Sequence, residues 1–211
     1  MATICPAILA KDAHEYREQM ERVEPFAKRV QIDLTDGVFA PSQTVSLNQV
    51  WWPENVKADL HLMYKRPENY LNYVIKLRPH MAILHAEAEG NFLEMASKLH
   101  EHGIKIGVAM LPKTHPKVIA PAYEHVDHVL IFSGHLGFYG GEANLNLTEK
   151  ARVLNQHKHH FEIGWDGGVN LANARYLAKH GIDVLNVGGF IQNSDSPHDA
   201  YVKLKSVIKG A

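Results

Sequence analysis

The chain has 211 residues, 45% of them hydrophobic and 21% charged, with 22 Lys and Arg against 23 Asp and Glu. That is the size and composition of one globular domain with a sizeable core. The net charge of −1 excludes a basic field for nucleic acid or an anionic membrane surface, and no apolar run approaches the length of a membrane span. The single cysteine, Cys5, rules out an intrachain disulfide and fits a reducing, cytoplasmic setting.

In chain order, Thr3 to Leu9 reads as a short buried strand, and Asp12 as the cap of a helix running to about Phe26. Val30 to Leu34 is a second strand, residues 38–56 an irregular connection, and Lys57 to Met63 a third strand. Pro67 suits the first turn of a helix that carries Tyr70, Leu71, Val74 and Ile75 at helical spacing. Met81 to His85 is the fourth strand, followed by a helix from Phe92 to His102 that stops at Gly103. Ile104 to Leu111 is the fifth, with a short helix from Pro116 to about Glu124. Val126 to Phe132 is the sixth, leading into a glycine-rich loop, Ser133 to Gly141, and a helix from Thr148 to about Gln156. His160 to Trp165 is the seventh, with Asn170 expected to cap a helix ending at Gly181. Ile182 to Val187 is the eighth, before Gly188-Gly189 and a last helix from Pro197 to Lys209.

Eight strand and helix pairs in alternation, several strands being continuous apolar runs, predict a single parallel (β/α)8 barrel over residues 1–211; a doubly wound open sheet is the alternative. Polar residues interrupt these runs at strand ends. Side chains alternate faces along a strand, so Gln31, Asp33 and Thr35 share one face, as do Asp59, His61 and Met63. Asp166 ends the seventh strand before Gly167-Gly168. A buried carboxylate needs a partner, a metal or a reaction, and barrel sites sit at the carboxyl ends of strands. The three strand ends are therefore expected to converge on one small-molecule site. Of the 15 histidines, His61 and His85 stand out inside apolar runs, whereas His100, His102, His157, His159 and His160 read as solvated.

The ordered motifs Ile4 to Leu9, Gln31 to Pro41, Asp59 to Met63, His85-Ala86-Glu87-Ala88, Ser133 to Gly141, Asp166 to Val169 and Gly188-Gly189 resemble the ribulose-phosphate 3-epimerase family, (β/α)8 barrels of the ribulose-phosphate-binding type in pentose phosphate metabolism. The resemblance implies an isomerase that inverts carbon 3 of a phosphorylated ketopentose, interconverting D-ribulose 5-phosphate and D-xylulose 5-phosphate. Asp33 and Asp166 would be the two proton-transfer groups, working on opposite faces. Asp33, His61 and Asp166, with the amide oxygen of Gln31 as a weak fourth ligand, would ligate one divalent metal ion (zinc, iron, manganese or magnesium) that stabilises the enediolate. His61 and Met63 would line the substrate, and Gly137, Gly140, Gly141, Gly167, Gly168, Gly188 and Gly189 would serve substrate and phosphate binding. A homo-oligomer is also implied.

The chain departs from the family pattern within the expected site. Gln31 stands where the family has a metal-ligating histidine, which points to a site that holds metal loosely, prefers magnesium or manganese, or is empty. Ala7 and Ala10 replace serines, Thr35 and Phe132 replace methionines, and Tyr139 replaces a glycine. Gly141, Asn186 and Gly189 also differ from the usual residues. Two alternatives follow: an epimerase-like paralogue acting on another keto-sugar phosphate, or a barrel that binds a sugar phosphate without turning it over. A related decarboxylase would want a lysine within Asp33 to Asp36, where Leu34 and Thr35 stand.

Overall fold

A computed structural model describes residues 2–157 and 160–209; His159 lies outside the described residues. Eight parallel strands close into a barrel in sequence order: β1 (Thr3–Ile8), β2 (Arg29–Thr35), β3 (Lys57–Met63), β4 (Met81–His85), β5 (Lys105–Met110), β6 (His128–Phe132), β7 (Glu162–Asp166) and β8 (Val184–Val187). Closure comes from β1 pairing with β8, with Cys5 opposite Asn186. Every strand expected from the apolar runs is present, and the open-sheet alternative is excluded by this pairing.

The outward residues of each strand, such as Val30, Ile32 and Leu34 of β2 and Ile163 and Trp165 of β7, join the large core shared with the surrounding helices. Inside the barrel, Met81, Ile83, Ala109 and Leu130 form a separate apolar plug. The helices are α1 (Ala13–Val23), α2 (Leu71–Leu77), α3 (Phe92–His100), α4 (Thr148–Asn155), α5 (Ala174–Lys179), α6 (Gly189–Gln192) and α7 (Pro197–Ile208). Asp12 does cap α1, its Oδ1 accepting from the N–H groups of His14 and Glu15 at 3.0 and 2.9 Å.

Three expectations need correction. Alternation is not strict, because the described residues between β2 and β3 contain no helix. That link is instead held by an isolated bridge between Asp36 and Gln43 and by Tyr16, whose hydroxyl donates to the Trp51 carbonyl. Asn170 does not cap a long helix: its Oδ1 accepts from Ala172 N–H in a turn, and α5 starts only at Ala174. The Pro67 segment opens as a 3-10 turn (Pro67–Tyr70) before α2, and Pro116–His125 is 3-10 throughout, with Pro121 inside it unable to donate an α-helical bond.

Candidate active site

The period of two along the strands stacks two polar layers inside the barrel. On β2 the inward residues are Arg29, then Gln31, then Asp33; on β3, Asp59, then His61; on β7, Glu162, then Gly164, then Asp166. The lower layer is an ion-pair floor. Arg29 Nε lies 2.5 Å from Asp59 Oδ2 and its other arm pairs with Glu162, while His80 and His128 meet Asp59 and Glu162 at 2.8 and 2.9 Å. Asp59 thus belongs to the floor, away from the carboxyl ends of the strands.

The upper layer brings Asp33, His61 and Asp166 together. His61 Nδ1 is 2.9 Å from Asp33 Oδ1 and 3.6 Å from Asp166 Oδ2. Gln31 Nε2 donates to the same two oxygens, at 2.8 Å to Asp33 and 2.6 Å to Asp166. Behind His61, its Nε2 lies 2.9 Å from His85 Nε2, and His85 Nδ1 faces Glu87 Oε2 at 3.4 Å. Burial is the first reason the His85 imidazole is pushed down to about 4, which leaves it neutral. Burial, and then the charge of Asp33, push the Asp166 carboxyl up to about 7 against the opposing pull of His61 and Gln31. Both causes favour the protonated form of Asp166.

The three ligand atoms of Asp33, His61 and Asp166 all lie within 4.8 Å of one another. Gln31 Oε1 is buried and, among the described residues, has no hydrogen-bonding partner. Two carboxylates and one imidazole fit a divalent cation, while Gln31 turns its amide nitrogen to them.

Above this layer a cavity of about 270 Å³ opens at the carboxyl ends of the strands. Asp33 and Asp166 border it, with Met63 and Phe132 as apolar wall, and Gly137, Gly140, Gly141, Gly167, Gly168, Gly188 and Gly189 around the mouth. His61 and Gln31 are fully buried beneath it. The glycines fall into two groups. A Cβ on Gly167 or Gly168 would lie 2.1 Å from Gly134 N or 2.2 Å from Ala143 N, so these two let the β6 loop lie directly on the end of β7. A Cβ on Gly137 would strike Ser42 Oγ at 2.1 Å, and one on Gly188 the Tyr139 ring at 2.4 Å. A Cβ on Gly140, Gly141 or Gly189 would meet nothing closer than 3.5 Å, and all three line the cavity.

Tyr139 is the anchor of this loop. Its buried hydroxyl accepts from Leu9 N–H at 2.6 Å and lies 2.6 Å from Gln19 Oε1 and 3.0 Å from the Ala7 carbonyl. It therefore occupies the end of β1 beside the position where the family serine is replaced by Ala7. Asp36 serves structure: Oδ1 accepts from Val38 and Phe39 N–H, and Oδ2 from Lys65 N–H. Thr35 is likewise tied to the β2–β3 link, donating to the Ser42 carbonyl at 2.8 Å. Sequence reasoning missed Asn193 and Asn170 at the cavity wall and Gln19 behind Tyr139. All three lie in ordinary polar contexts that carry no local signal.

Comparison with known proteins agrees with this geometry. The model of the Ribulose-phosphate 3 epimerase family matches residues 3–192. Ribulose-phosphate 3-epimerase of Schizosaccharomyces pombe is 26% identical, over 100% of this chain and 95% of that protein. The protein of the same name from Helicobacter pylori strain J99 is 29% identical over 97% of each chain. In fold the chain resembles 3-hexulose-6-phosphate synthase from Salmonella typhimurium, with a TM-score of 0.72, 14% identity and 98% of both chains covered. No helix among the described residues is long and apolar enough to cross a membrane. From its barrel, its paired strand-end carboxylates and a match to nearly its whole length, the chain belongs to the ribulose-phosphate 3-epimerase family, enzymes of the isomerase class.

Proposed function

We propose that the chain epimerises carbon 3 of a phosphorylated ketopentose, converting D-ribulose 5-phosphate to D-xylulose 5-phosphate, with Asp33 and Asp166 as the proton-transfer pair. The observation that carries this reading is the split environment of the two carboxyl groups. Both border the cavity, and burial and then the Asp33 charge favour the protonated form of Asp166. A base and an acid are thus present together at one mouth.

The substrate ketone acidifies the proton on the neighbouring carbon. Asp33 accepts that proton, and the C–H electron pair moves into a C2–C3 double bond as the carbonyl oxygen takes up negative charge. Asp166 then delivers its proton to the other face of carbon 3, the carbonyl reforms, and the configuration is inverted. Asp33 ends protonated and Asp166 ionised, so the reverse reaction runs with the roles exchanged. Positioned acid/base groups of this kind contribute roughly a factor of a hundred to ten thousand each. Asp33, His61 and Asp166 would hold the divalent cation. When bound, it would polarise the substrate oxygens next to the reacting carbon.

The peptide N–H groups of Gly140, Gly141 and Gly189, on the open side of the mouth, would receive the phosphate, while Gly137, Gly167, Gly168 and Gly188 shape the loop that presents them. Met63 and Phe132 keep water from the reacting carbon. Another keto-sugar phosphate is the second reading, favoured by Tyr139 and Ala7, which alter the sugar side of the site. The test is conversion of D-ribulose 5-phosphate by the purified protein, followed by its wild type, Asp33→Asn and Asp166→Asn forms. Conversion that both substitutions abolish supports the assignment. Conversion of a different keto-sugar phosphate alone favours the second reading, and no conversion of any leaves a binding barrel.

A further inference from the structure

Two carboxylates aimed at one spot repel each other unless something positive or protic lies between them. Here the side-chain amide of Gln31 lies between them, beside His61 Nδ1. Its nitrogen is 2.8 Å from Asp33 Oδ1 and 2.6 Å from Asp166 Oδ2, and a primary amide has two hydrogens that diverge toward two acceptors. Gln31 is fully buried beneath the cavity and does not border it, so it acts through the carboxylates and not on the substrate. The other end of the same amide, Oε1, is buried without a partner among the described residues. An unpaired buried carbonyl is costly, so in this orientation the amide is satisfied at its nitrogen end and not at its oxygen.

We propose that Gln31 is a two-way positioning residue: its amide hydrogens clamp Asp33 and Asp166 in register without a cation, and its carbonyl supplies a fourth oxygen donor when a divalent cation binds.

The two orientations exclude each other on simple grounds. Turning the amide over exchanges Oε1 and Nε2, which would put three acceptor oxygens together with no proton between them. That arrangement is unfavourable alone and favourable around a cation. A carbonyl oxygen is a hard, neutral donor, which suits magnesium or manganese over zinc and gives weaker binding than a fourth charged or imidazole ligand. The clamp also explains how the acid/base pair keeps its geometry when no ion is bound. This inference rests on the proposed epimerase reading for its catalytic consequence, but not for its metal-binding one.

The test uses EDTA-dialysed full-length protein with Mn²⁺ as the probe, titrated calorimetrically, for wild type, Gln31→Met and Gln31→Glu. Methionine keeps the volume and loses both functions; glutamate keeps an oxygen donor and loses the amide hydrogens. Mn²⁺ affinity is expected to fall about tenfold or more in Gln31→Met and to rise about tenfold or more in Gln31→Glu. In EDTA, wild type keeps measurable deuterium exchange at carbon 3 of the substrate, and both variants lose it at least tenfold. Only Gln31→Glu regains it on adding Mn²⁺. Mn²⁺ affinities within about twofold of wild type in both folded variants would overturn the proposal, as would EDTA-resistant exchange undiminished in Gln31→Met. If wild type exchanges with neither EDTA nor Mn²⁺, the epimerase reading fails. The opposite shifts in Mn²⁺ affinity then decide the role of Gln31 by themselves.

Discussion

The Nε2 atoms of His61 and His85 lie 2.9 Å apart, so the two rings share one hydrogen. Burial keeps His85 neutral down to about pH 4, and its Nδ1 faces the Glu87 carboxylate. Burial works to raise the Glu87 carboxyl, but hydrogen bonds from His85, Thr114 and Leu111 hold it below its ordinary value. A neutral His85 that donates from Nδ1 to Glu87 must accept at Nε2. His61 Nε2 therefore donates to His85, and the bond directs His61 Nδ1 toward Asp33 and Asp166. This chain of partners sets the orientation of the imidazole at the centre of the site.

His85→Leu leaves the buried His61 N–H without an acceptor. We expect a stability loss of about 1–3 kcal/mol by urea unfolding. His85→Gln, which restores an acceptor, should recover most of it. Equal losses in the two variants would assign the effect to packing.

Asp166 gives the fold a pH signature. Its carboxyl is raised to about 7 in the folded chain, against an ordinary value of 3.8, so between these values the folded state holds a proton the unfolded state has released. Stability from this group is present at acid pH and falls as pH rises toward 7, by at most about 1.4 kcal/mol per pH unit. Asp166→Asn should flatten that fall in unfolding measurements from pH 4 to 8, and should lower turnover by a factor of about a hundred or more.

Tyr139 and Gly188 are a matched pair, since a Cβ on Gly188 would lie 2.4 Å from the Tyr139 ring. Gly188 has a negative φ of −89°, outside the left-handed region that favours glycine. Gly188→Ala alone is expected to cost about 1–3 kcal/mol as an overpacked contact. In a Tyr139→Ala background the same substitution should cost far less, a coupling that a double-mutant cycle reads directly. Additive effects would mean the ring is not the obstacle. Tyr139→Phe, which removes only the tether to Ala7, Leu9 and Gln19, should raise KM for the sugar phosphate more than it lowers kcat.

The floor of the barrel is a separate unit. Arg29 joins Asp59, which is buried, and Glu162, which is half-buried. Burial opposes ionisation of Glu162, yet His128 and Arg29 hold its carboxyl well below the usual value. Arg29→Met leaves two carboxylates without their cation and should cost about 3–5 kcal/mol in unfolding experiments. Any surviving folded protein should keep its KM, because the floor does not border the cavity.

Much of this architecture is legible in the sequence because parallel strands covered on both faces must be apolar, and the runs at Met81 to His85 and His128 to Phe132 have no other reading. Polar residues inside such runs marked the site for the same reason: Asp33, His61 and Asp166 are conspicuous where burial is obligatory. What was illegible depended on partners distant in the chain. Asp59 shares a face with His61, but only the position of Arg29 one strand away shows that it belongs to the floor. Asn170 looks like a helix cap by type, yet it closes a turn before α5 because its side chain bonds Ala172. The β2–β3 link contains no helix since Tyr16 and the Asp36 to Gln43 bridge hold it, contacts that no local pattern encodes. Gln31 is conspicuous as a missing histidine, but its bonds to two carboxylates needed coordinates.

The most direct measurement is proton NMR of D-ribulose 5-phosphate in deuterium oxide with the purified protein, following the hydrogen on carbon 3. The account predicts loss of that signal through deuterium incorporation, accompanied by D-xylulose 5-phosphate, and loss of both effects in Asp33→Asn. A carbon 3 hydrogen that persists with wild-type protein, with EDTA and with added Mn²⁺ alike, would contradict proton transfer by Asp33 and Asp166.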